Sequence, residues 1–203
     1  VMMAQLGIGF DKPIRHLREY LSILMPLLRT GRVAYRGETL SCEAELFQPP
    51  ATVPVVVAAL GPQALGVAGR LADGTTLAWV GPKTIREHIA PRLRAAADSA
   101  ERPTPRIIAT LPVCVTSDEQ AVRAQIGKSL AMYGQLPSYR AMFDREGVAG
   151  PAELAIVGSA AEVSARIGAL QEAGVTDFAA SEFALNSEDR AATRALLKSC
   201  LTA

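Results

Sequence analysis

The run Val53-Pro54-Val55-Val56-Val57-Ala58-Ala59-Leu60-Gly61-Pro62-Gln63-Ala64-Leu65 carries an apolar segment straight into a Gly-Pro turn. Residues 53–60 are apolar on both alternating faces, as in a strand covered on each side. Gly61-Pro62 ends that strand. Leu65, Ala68, Gly69 and Ala72 then recur at helical spacing as far as Asp73-Gly74, where a second strand over 75–80 begins. Strand, helix, strand is a unit that needs a crossover, and crossovers join parallel strands.

The same alternation continues toward the C-terminus. A helix from about 82 to 99 precedes a strand over 106–116, and a longer helical region from 118 to 147 is broken at Pro137. A helix with Val163, Ile167 and Leu170 inward stops at Gly174, ahead of a strand over 175–180 and a last helix from about 188 to 201. Ser117 with Gln120, and Ser159 with Glu162, have the spacing of capping boxes, and the acidic pair Glu188 and Asp189 suits a helix N-terminus. Pro112 lacks an N–H, which predicts a bulge or bend in the third strand. Toward the N-terminus, Ile14, Leu17, Leu21, Leu24 and Leu28 mark one face of an opening helix that Gly31 stops. Residues 33–48, around Arg36-Gly37, suit a short hairpin or an extended excursion.

Four parallel strands separated by helices build either an open sheet or a barrel, and periodicity alone does not choose. A barrel has eight strands and typically about 250 residues, so in a barrel these 203 residues would be one domain forming its second half. The first residue is Val1 rather than Met, which leads to the expectation that N-terminal strands lie upstream.

Composition narrows the function. An apolar share of 49% with 20% charged residues is that of a folded globular chain, and 21 Lys and Arg against 20 Asp and Glu leave no basic stripe for nucleic acid. Cys42, Cys114 and Cys200 are far apart, which suggests neither a disulfide framework nor a zinc site and suits a reducing cytoplasm. No apolar run approaches the roughly 18 residues of a membrane span, so no membrane partner is expected.

Sites in parallel α/β arrays lie at the C-terminal edge of the sheet, where the Gly61-Pro62 turn falls. Gly61 allows close approach to the backbone and Pro62 suits the first helical position, so the amides of Gln63, Ala64 and Leu65 would point outward as a seat for phosphate or another anion. Gly-Pro also serves simply as a tight strand-to-helix turn. Trp79, at the end of the next strand, either walls a ring-binding cleft or fills the core. Lys83 either pairs with an acidic ligand group or is an exposed lysine at a helix start. Asp73 belongs to an Asp-Gly turn at the opposite end of the sheet and is read as structural. His16 and His88 are not spaced as a metal pair, both are expected to be solvated, and no metal is expected. There is no G-x-S-x-G elbow, and no cysteine has an assignable histidine partner.

Ala58-Ala59-Leu60-Gly61-Pro62, Ala68-Gly69 and Ala72-Asp73-Gly74 together resemble the signature of luciferase-like flavin and deazaflavin enzymes. Residues 11–21 are similar to the helix after the fourth barrel strand of that family, and 111–116 and 134–140 are similar to segments of its actinobacterial deazaflavin branch. The resemblance spans about residues 10–201. It implies the C-terminal half of a (β/α)8 barrel and an oxidoreductase exchanging hydride between coenzyme F420 and a small organic substrate. It also implies coenzyme contacts at Ala59, Leu60, Gly61, Gln63 and Ala64, a substrate pocket beside Trp79 and Lys83, and a homodimer. In such enzymes the polar groups that assist proton transfer come largely from the first barrel strands, so no catalytic acid or base is named. Two alternatives stand beside this: an FMN-dependent monooxygenase of the same superfamily, and a non-catalytic half-barrel acting as an interaction protein.

Overall fold

The computed structural model describes residues 11–48 and 53–201. The expected break at Pro49-Pro50 lies outside the described residues. Helix α1, Pro13–Thr30, starts on a proline, whose missing N–H has no partner to lose there, and stops at Gly31 in a left-handed conformation with φ 77°. Its Leu21 is buried with Val67 and Ala72, and Ile14 and Leu17 pack on the same cluster.

Strands β1, Arg32–Arg36, and β2, Ser41–Glu45, form an antiparallel hairpin. Glu19 of α1 fastens it. Its buried carboxylate accepts the amides of Glu38, Thr39 and Leu40 and the Thr39 hydroxyl at 2.7 to 3.0 Å.

Next come β3, Val56–Ala58; α2, Pro62–Leu71; β4, Gly74–Ala78; and α3 over residues 82–98, which contains a π turn at Ile85–Ile89. They are followed by β5, Arg106–Val115; α4, Glu119–Ser129; a 3₁₀ turn, Ala131–Gln135; α5, Pro137–Glu146; and α6, Pro151–Leu154. The chain closes with β6, Ile156–Gly158; α7, Ala160–Glu172; β7, Asp177–Glu182; and α8, Ser187–Ser199. Strands β3, β4, β5 and β7 are parallel and adjacent in that order. Four parallel strands, each followed by helix, make the C-terminal half of a (β/α)8 barrel. Leu65, Leu77, Ile89, Leu93, Ile107 and Leu111 fill the space between strands and helices.

Packing explains two glycines of the Ala68-Gly69 and Asp73-Gly74 pairs. A Cβ on Gly69 would overlap the Leu93 carbonyl of α3, and one on Gly74 would overlap the Arg106 carbonyl of β5. Only glycine permits either approach.

The expected distortion at Pro112 does not occur. Strand β5 runs unbroken from Arg106 to Val115, because its partners change at that point. One edge of β5 faces β7 from Ile108 to Val113; the other faces β4 as far as Thr110 and then β6 from Val113. Peptide groups alternate between edges along a strand. Thr110 accepts from Trp79 and Thr116 donates to Gly158, so the even-numbered residues face β4 and β6. The Pro112 nitrogen therefore faces the gap where β4 has ended and β6 has not begun, and no ladder bond is lost.

Three more local expectations change. The N-cap of α4 is Asp118, whose side chain accepts from Ala121, rather than Ser117. The helix expected to break at Pro137 already ends at Ser129, and Pro137 opens α5 instead. β6 leaves no signal in the sequence, because three residues carry no measurable period. The Ser159–Glu162 capping box is present, with both of its hydrogen bonds.

Candidate functional site

Because the strands are parallel, the turns after β3, β4, β5 and β7 all lie at one edge of the sheet, and the site is sought there. After β3, Ala59 is buried, Leu60 is half-buried, and Gly61 caps α2 with φ −78° and ψ 155° and no side-chain hydrogen bond. Among the described residues, a Cβ built on Gly61 meets nothing within 4 Å. No group among the described residues accepts from the amides of Gly61, Gln63 or Ala64. Leu65, expected to offer a third helical amide, instead donates to the Gly61 carbonyl at 2.9 Å. The candidate seat thus consists of the amides of Gly61, Gln63 and Ala64 at the positive end of a ten-residue helix. These features fit the phosphate of a coenzyme.

His88 was expected in solvent and is instead 3% exposed, a correction that brings it to this turn. Its Nε2 lies 2.9 Å from the Leu60 carbonyl oxygen, and its Nδ1 is buried without a partner among the described residues. Burial holds the ring below the ordinary histidine range; the Leu60 carbonyl opposes this, and the charges of Arg145 and Arg92 add to it. The signal that could have found it is the apolar row Ile85, Ile89 and Leu93, beside which His88 sits one position from the centre.

The turn after β4 is built differently. Gly81 caps α3, but here Glu146 of α5 reaches in, its carboxylate accepting from Thr84 at 2.7 Å and from Lys83 at 3.2 Å. That helix start already holds an anion from the chain itself. His16 is exposed, as expected, and so is Lys83. Trp79 is 7% exposed and packs edge to face on Tyr133 at 5.6 Å, which makes it part of the core. It nonetheless sits at the mouth of β4, with a left-handed φ of 57° and an indole Nε1 that is buried and unpartnered among the described residues. Asp73 lies at the opposite edge, accepting from the Val55 amide at 2.8 Å and pairing with Arg29 and Arg102. It links four chain segments and has no part in the site. Among the described residues, no three His, Cys, Asp or Glu side chains gather as metal ligands would, and no helix is long and apolar enough to cross a membrane.

The family model described as luciferase-like monooxygenase matches residues 1–177. The chain belongs to that family. Among luciferase-like relatives, a 5,10-methylenetetrahydromethanopterin reductase of Archaeoglobus fulgidus is 27% identical over 160 residues, covering 77% of this chain and 47% of that protein. An F420-dependent glucose-6-phosphate dehydrogenase of Nakamurella multipartita is 30% identical over 111 residues, covering 53% of this chain and 33% of that protein. The chain therefore spans about half the length of the first relative and about a third of the second. The solved coenzyme F420 dependent tetrahydromethanopterin reductase of Methanopyrus kandleri superposes with a TM-score of 0.73 at 18% identity, over 96% of this chain and 68% of that one. At that identity the likeness is one of fold.

Proposed function

We propose that this luciferase-like chain provides the C-terminal half of a barrel oxidoreductase that binds coenzyme F420. The observation that carries the proposal is the open, uncapped helix start at Gly61, Gln63 and Ala64, on the edge of the sheet where ligands bind. The F420-dependent glucose-6-phosphate dehydrogenase among its relatives supports the choice of coenzyme. When bound, the coenzyme would exchange hydride with a small organic substrate. The chain's own residues would hold and orient it. The amides take its phosphate, Ala59 and Leu60 line the backbone beside it, and Trp79 and the exposed Lys83 stand at the neighbouring mouth, where an acidic group of the substrate would meet the lysine. No residue here is assigned proton transfer. A homodimer in the cytoplasm is part of the same proposal.

A reduced-FMN monooxygenase is the second reading, favoured by the description of the family itself. FMN also ends in a phosphate that the same turn would accept. Titration of the protein with each coenzyme, followed by the coenzyme's own fluorescence, separates the two. F420 is expected to bind at least about tenfold more tightly, a difference of about 1.4 kcal/mol. Tighter binding of FMN reverses the assignment, and binding of neither overturns both.

A further inference from the structure

Resting on the phosphate seat at residues 61–64, we propose that His88 is a positioning residue that aims the Gly61 amide at the bound phosphate. A carbonyl oxygen only accepts, so at 2.9 Å the His88 Nε2 carries the proton and donates to Leu60. The Leu60–Gly61 peptide is trans. In a trans peptide the C=O and N–H bonds point in opposite directions, so a carbonyl turned inward onto His88 sends the Gly61 amide outward. Among the described residues a Cβ on Gly61 meets nothing within 4 Å, and the amides of Gly61, Gln63 and Ala64 have no acceptor, so an outward Gly61 amide would be free to join the other two at a ligand.

The helix carrying His88 is shaped for this contact. His88 falls within the π turn Ile85–Ile89, and such turns in longer helices occur frequently at functional sites. Its ring is buried, with Nδ1 unpartnered among the described residues. With Nε2 committed to Leu60, Nδ1 is the bare nitrogen of a neutral ring. Without the histidine, the Leu60–Gly61 peptide would be free to turn and the seat would keep two amides instead of three.

The test follows backbone amides in the 15N-labelled protein during titration with inorganic phosphate, beside a fluorescence titration with coenzyme F420. In the wild type, phosphate moves the signals of Gly61, Gln63 and Ala64 together. In His88→Leu the Gly61 signal stays still and the Kd for F420 rises about tenfold, the size expected for one amide-to-anion bond. In His88→Gln, whose side-chain amide donates from a similar reach, both return to within about threefold of wild type. A Gly61 signal that responds equally in His88→Leu overturns the proposal. A phosphate response without F420 binding removes the coenzyme and leaves the role of His88 standing; no phosphate response at any of the three amides removes both the seat and this role. Should His88→Leu fail to fold, the ring nitrogen shifts of wild-type His88 decide, since a neutral ring with its proton on Nδ1 and none on Nε2 is incompatible with donation to Leu60.

Discussion

Glu146 closes the start of α3 by accepting the Thr84 amide at 2.7 Å, whereas the equivalent start of α2 at Gly61 has no such partner among the described residues. Two successive strand-to-helix turns thus share the same Gly-Pro sequence, Gly61-Pro62 and Gly81-Pro82, and differ in what faces their amides. One is filled by the chain and the other is open. A second contact, from the Thr84 hydroxyl to the Met142 carbonyl at 3.3 Å, ties α5 to the same place.

Glu146→Ala should therefore remove a cap worth about 1 kcal/mol and lower the thermal midpoint by roughly 2–4 °C. Hydrogen exchange should rise at Lys83 and Thr84 and along α5. Gly81→Ala should act in the same direction, because its Cβ would overlap the Glu146 carboxylate. An unchanged midpoint in both variants would mean that the contact contributes nothing in solution.

At Gly61 the expected balance is the reverse. The backbone there, φ −78° and ψ 155°, is one a β-branched residue adopts freely, and among the described residues nothing lies within 4 Å of a Cβ at this position. Gly61→Val should leave the urea midpoint nearly unchanged while raising the coenzyme Kd by about tenfold or more. Equal affinity in the two proteins would take Gly61 out of the site.

Asp73→Ala should do the opposite, costing about 2 kcal/mol of stability and leaving coenzyme affinity within about twofold. Its carboxylate accepts from Val55 and from two guanidinium groups far from the ligand edge. Parallel urea unfolding and fluorescence titration measure both quantities.

Acid should loosen the hairpin through Glu19. Burial works to raise this carboxyl, but hydrogen bonds from the Thr39 hydroxyl and from the amides of Thr39, Glu38 and Leu40 prevail and lower its pKa from 4.5 to about 2. With the folded value below the unfolded one, the contribution is complete above about pH 4.5 and is lost as the pH falls toward 2. The stability difference between wild type and Glu19→Gln should shrink over that window. A difference that stays constant from pH 5 to pH 2 would contradict the assignment.

Much of the architecture was legible in the residues themselves. Strand and helix periods are set by near neighbours, so residues 53–80 declared a strand-helix-strand unit, and its repetition declared a parallel array. Gly61-Pro62 was legible as a candidate anion seat for the same reason, since a helix start exposes its own amides whatever surrounds it. The Ser159–Glu162 cap, a contact three residues long, was equally plain.

What the residues alone left open depended on pairs distant in the chain. The sequence by itself puts His88 in solvent, because nothing within one helical turn reveals that Leu60, 28 residues earlier, offers it a carbonyl. Glu146 stands 62 residues after the Thr84 amide that it caps, so the sequence could not distinguish the filled turn from the open one. Pro112 was expected to distort its strand, and only the arrival of β6 beyond the end of β4 shows why it does not. In each case the local conformation followed from short-range sterics and hydrogen bonding. Which polar group met which was decided only when packing brought remote segments within about 3 Å of one another.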